Sequence, residues 1–91
     1  MSDGLAKVLR RFEERLVSLE SEVAAGARHW KAVHLDKALA ALPGDHVAAH
    51  GHLDEMDRAE LAREYPSLVE DHVPTVEEIR TRFGMIAGGN L

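Results

Sequence analysis

An all-α fold is what this sequence predicts, on three observations. Apolar positions in the first third, Leu5, Leu9, Phe12, Leu16, Leu19, Val23, Gly26, Trp30 and Val33, recur at alternating steps of four and three, which draws one stripe along a helix. No run of alternating β-branched and polar residues reads as a strand. Helix starts are marked by capping residues, Thr75 with Glu78 being the clearest pair. The chain reads as a single domain over 1–91, divided into an oligomerising helical region at 4–42, an acidic cap of two to four short helices at 45–86, and a frayed tail at 87–91.

The first element begins near Gly4, where Ser2 or Asp3 can cap it, and no proline occurs before Pro43. One long amphipathic, coiled-coil-like helix is therefore expected over about 4–42. Gly26, within Ala24–Ala25–Gly26–Ala27, is the point where it can be interrupted, since glycine costs about 1 kcal/mol of helix propensity against alanine without forcing a stop. Leu9, Leu16, Val23 and Trp30 take one heptad core position, and Leu5, Phe12, Leu19, Gly26 and Val33 take the other. A repeat of 3.5 residues faces a partner helix, so Leu5, Leu9, Phe12, Leu16, Leu19, Val23, Trp30 and Val33 are the expected oligomer interface. A homodimer is favoured, with Arg15 of one chain opposite Glu20 of its partner if the pair is parallel. After Val33 the apolar pattern passes to Leu35, Ala38, Leu39 and Leu42, a face about a third of a turn away that should meet the C-terminal half of the chain.

Pro43–Gly44–Asp45 is the clearest turn. A brief helix is expected over His46–Leu53, started by Asp45 and interrupted at Gly51, and a second from Asp54 to Tyr65, anchored by Met56, Leu61 and Tyr65. Pro66–Ser67 resets the chain, and Ser67 with Glu70 has capping-box spacing. The last helix starts from Thr75, carries Val76, Ile79 and Phe83 inward, and can end at Gly84.

Composition narrows the function. The net charge of −5 is uneven: residues 1–42 carry seven basic and six acidic side chains, residues 43–91 four and ten. An acidic C-terminal half disfavours nucleic acid and suits a protein partner with a basic surface. The absence of cysteine removes disulfides, thiolate metal sites and thiol nucleophiles. No segment is long and apolar enough for a membrane span, and the opening residues lack the pattern of a secretory signal, so a cytoplasmic protein is expected. No serine lies in a Gly-x-Ser-x-Gly setting and no glycine-rich phosphate loop follows a strand, which points away from an enzyme.

Two constellations suggest alternatives. Six histidines are present, at 29, 34, 46, 50, 52 and 72. His46 and His50 fall on one helix face, and His52 and Glu55 follow closely, a donor set suited to a divalent transition metal where cysteine is lacking. His72 is a further candidate ligand, while His29 and His34 flank Trp30 and could respond to pH near neutrality. Glu60–Tyr65 and Pro74–Arg80 look like the two helices of a helix-turn-helix, with Arg80 and Arg82 as the groups able to meet DNA. The intervening Pro66–Val73 is longer than the usual turn. The reading the sequence favours is a non-catalytic helical oligomerisation and protein-interaction module without a cofactor. Its alternatives are a histidine-based metal protein and a DNA-binding regulator.

Overall fold

The computed structural model describes residues 3–23, 28–64 and 73–88. Four helices follow in order: α1 (Asp3–Glu22), α2 (Trp30–Ala41), α3 (His46–Leu61) and α4 (Val76–Ala87). No strand occurs among the described residues. At 1.5 Å per residue, the 20-residue α1 is about 30 Å long, in a body measuring 37 × 25 × 24 Å.

The α1 stripe faces the interior of its own chain. Val8, Leu9, Phe12, Leu16 and Leu19 are fully buried, with Leu5 and Val23 packed at the two ends. At roughly 1.5–3 kcal/mol for each large apolar side chain buried, this one face is a major source of stability. Phe12 stacks on Phe83 of α4, with ring centroids 4.9 Å apart and planes 8° from parallel. The interface expected between subunits is thus covered within one chain. Four-three spacing serves the inner face of any helix bundle as well as a coiled-coil seam, and three further helices supply the covering surface.

Of the two forms the sequence allows over 4–42, the interrupted one is found: α1 ends at Glu22 and α2 begins at Trp30. Gly26 lies outside the described residues, as do the Ser2 cap, Tyr65, the Ser67–Glu70 capping box and His72. Trp30 and Val33 still pack in the core, but on a separate helix.

The second apolar face behaves as expected. Leu35, Ala38, Leu39 and Leu42 are buried, and α2 and α3, joined through the turn at Pro43–Gly44–Asp45, form the most extensive helix pair. Asp45 caps α3 by accepting from the Ala48 amide at 3.0 Å. The helix then runs unbroken through Gly51, where two short helices are predicted. Burial of Ala49, Leu53 and Met56 along one face outweighs the cost of one mid-helix glycine. At the end of α3 the Glu64 amide donates to the Ala59 carbonyl (2.8 Å) and the Arg63 amide to that of Glu60 (3.1 Å). This is a Schellman ending in which Arg63, at φ 60°, holds the left-handed position that usually falls to glycine.

Thr75 opens α4 as the capping spacing predicts, its hydroxyl accepting from the Glu78 amide at 3.1 Å. Val76, Ile79 and Phe83 enter the core, preceded by buried Val73 and Pro74. Gly84 does not end the helix: it continues to Ala87, which is buried rather than frayed. Among the described residues no helix is long and apolar enough to cross a membrane.

Candidate interaction site

Charged side chains join the helices to one another across large sequence separations. On the α1–α3 face, Arg15 binds Asp57 through two parallel bonds, Nε to Oδ1 at 2.9 Å and Nη2 to Oδ2 at 2.8 Å. Arg11 adds contacts to Asp54 and to Asp57 Oδ2 (3.1 Å). Hydrogen bonding from Arg15 holds the Asp57 carboxyl below the usual carboxylate range, against the opposing effect of burial, and the same bond raises Arg15. α4 is tied to α1 by Arg80, whose Nη1 donates to Glu13 and Nη2 to Glu20, each at 2.6 Å. Hydrogen bonds donated to Glu20 and Glu13 keep that guanidinium well above its ordinary value. Arg82 pairs with Asp36 of α2.

Lys31 is the buried member of this network. Its side chain is only 8% exposed, and its ammonium bridges Glu22 at the end of α1 (2.7 Å) and Glu60 on α3. The same nitrogen stands 5.7 Å from the centre of the Trp30 ring. Burial opposes its charge, yet the hydrogen bonds it donates to Glu22 and Glu60 prevail and raise its pKa. Beside this bridge lies an open cleft of about 640 Å³ between α1 and α3. Arg15, Lys31, Met56, Asp57, Leu61 and Arg63 are among the residues that line it. Leu61 is 87% exposed at the cleft, and Arg63 carries the left-handed backbone immediately after it.

Trp30 lies between two imidazoles. His29 caps α2, its Nδ1 accepting from the Lys31 amide at 3.2 Å, and its ring centroid is 5.7 Å from that of Trp30. His34 meets the indole edge-on at 5.6 Å. Burial lowers both histidines. Lys31 adds to the effect at His29 while Glu22 and Glu60 oppose it; at His34, Glu55 opposes, and Lys37 and His52 reinforce.

The candidate metal residues do not converge. His46 directs Nε2 to the Pro43 carbonyl at 2.8 Å, and His50 Nδ1 accepts from Arg11 Nη1 at 3.0 Å. His52 Nδ1 lies 3.9 Å from Glu55, beyond hydrogen-bond reach. Among the described residues no group of three or more His, Asp or Glu side chains could hold a metal ion. Arg80 and Arg82, the basic groups of the helix-turn-helix reading, are both engaged by carboxylates of α1 and α2. Arg15 and Glu20, expected to face each other between chains, instead meet Asp57 and Arg80 of their own chain.

Sequence reasoning missed Lys31 and the cleft beside it. The available signal was a lysine in phase with buried Leu35, Ala38 and Leu42, a position where a lone cation needs carboxylate partners. Comparison with known proteins finds no family model that matches the chain and no significant match to a curated protein or a solved structure.

Proposed function

We propose that the chain is a non-catalytic helical interaction module that receives a segment of another protein in the cleft between α1 and α3. The observation that carries this reading is Leu61, a large apolar side chain 87% exposed beside a cleft that also contains Met56 and the charged groups of Arg15, Lys31 and Arg63. An apolar anchor ringed by charge is the composition of a binding hot spot with a polar rim. The left-handed backbone at Arg63 supports the same place, because strain of this kind collects at functional positions. The partner segment suited to this cleft brings an apolar side chain to Leu61 and Met56. A second copy of the chain is one protein that could supply it.

Site-specific crosslinking tests the proposal. A photo-crosslinking residue at Ser18, on the cleft wall, should yield one discrete protein adduct in the source cells, and Leu61→Glu should abolish it. An adduct of twice the chain mass would identify the partner as a second copy. No adduct, or one indifferent to Leu61→Glu, would refute the proposal.

A further inference from the structure

The cap of α2 is an unusual one, since its acceptor is an imidazole nitrogen that a proton can occupy. His29 is extended (φ −151°, ψ 145°) and receives the Lys31 amide on Nδ1. That lone pair exists only in the neutral ring with its proton on Nε2. A protonated ring would place an N–H against an N–H and add positive charge at the positive end of the helix. We propose that His29 is a proton-operated cap whose protonation releases the first turn of α2 and, with it, the Lys31 bridge between α1 and α3. The amide that loses its acceptor belongs to the residue whose ammonium joins Glu22 to Glu60, so the cap acts on the residue that makes the bridge.

The surroundings decide which form the fold prefers. Lys31 on α2 repels a charge on His29, whereas Glu22 from α1 and Glu60 from α3 attract it; burial and Lys31 win, and the neutral ring is favoured. One turn further on, His34 touches the other side of the Trp30 environment, faced by Lys37 of α2 and by His52 and Glu55 of α3. Its Nδ1, like that of His52, is buried without a hydrogen-bond partner among the described residues, so it adds a second site where charge is disfavoured. With folded values below the unfolded one, the stabilisation is present above about pH 6.5 and is lost as pH falls through the depressed values.

His29→Asn in the full chain separates the cap from the charge, because asparagine accepts the same bond and does not titrate. Thermal unfolding followed by circular dichroism should place the variant within a few degrees of the wild type at pH 7.5. At pH 5.0 it should melt about 4–8 °C above the wild type, the shift expected from restoring one cap in a domain of this size. Parallel pH dependences of the two proteins would overturn the proposal. Should the variant not fold, ¹⁵N imidazole shifts of the wild type decide. A neutral His29 with bare Nδ1 and a midpoint below about 6.5 supports the cap; the opposite tautomer or a higher midpoint overturns it.

Discussion

Removing both carboxylates from Lys31 should cost far more than removing either. The ammonium is buried, but Glu22 and Glu60 are 41% and 55% exposed, so water screens each pair from its outer side. Glu60→Gln alone leaves Glu22 in place and should cost about 1 kcal/mol, the scale of a partly exposed pair. Glu22→Gln with Glu60→Gln strands a buried cation, for which about 3–5 kcal/mol is expected, well above twice the single effect. Lys31→Met added to that double variant removes the stranded charge while keeping the aliphatic stem beside Trp30, and should restore most of the loss. Urea unfolding of the wild type, Glu22→Gln, Glu60→Gln, the double variant and the triple variant measures the cycle, with midpoints compared at constant slope. Additive losses of about 1 kcal/mol each, or no rescue by Lys31→Met, would refute the view of Lys31 as a buried cation held by two acids.

Other perturbations follow from the same structure. Gly51→Ala should stabilise α3 by about 0.5–1 kcal/mol in thermal unfolding, since a Cβ there meets nothing within 4 Å and the backbone is already helical. Arg63→Gly should add about 1 kcal/mol by relieving the left-handed position, while weakening any binding that uses the guanidinium. Asp57 is depressed in the folded protein, so its contribution is present above about pH 3.9 and lost as pH falls through its lower folded value. Asp57→Asn should therefore cost about 1 kcal/mol at pH 7 and flatten the acid limb of a stability–pH profile.

What the sequence made legible was local. Helical class, the Pro43–Gly44–Asp45 turn, the Thr75 cap and the burial of Leu35, Ala38, Leu39 and Leu42 all depend on neighbours within a few residues. The direction of the α1 stripe did not, because a bundle core and a dimer seam impose the same spacing on Leu9, Phe12, Leu16 and Leu19. Gly51 was misread for a related reason: propensity is a weak local preference, and the tertiary burial of Leu53 and Met56 overrode it. The ion pairs lay furthest from view. Arg11 reaches Asp54 across 43 positions and Arg80 reaches Glu13 across 67, so no spacing rule joins them. Each engages a group the sequence left free: Arg80 pairs with Glu13, Arg11 pairs with Asp54 and Asp57, and His50 accepts from Arg11.

One chain closes its own core, with the α1 stripe turned inward. Urea unfolding at two protein concentrations a hundredfold apart tests it most directly. Identical midpoints are predicted, because the α1 stripe is already buried in the core that its own chain forms. An apparent stability that rises with concentration by about 2.7 kcal/mol over that range, and does so equally in Leu61→Glu, would mean that folding requires a second chain and that the stripe is a seam between subunits.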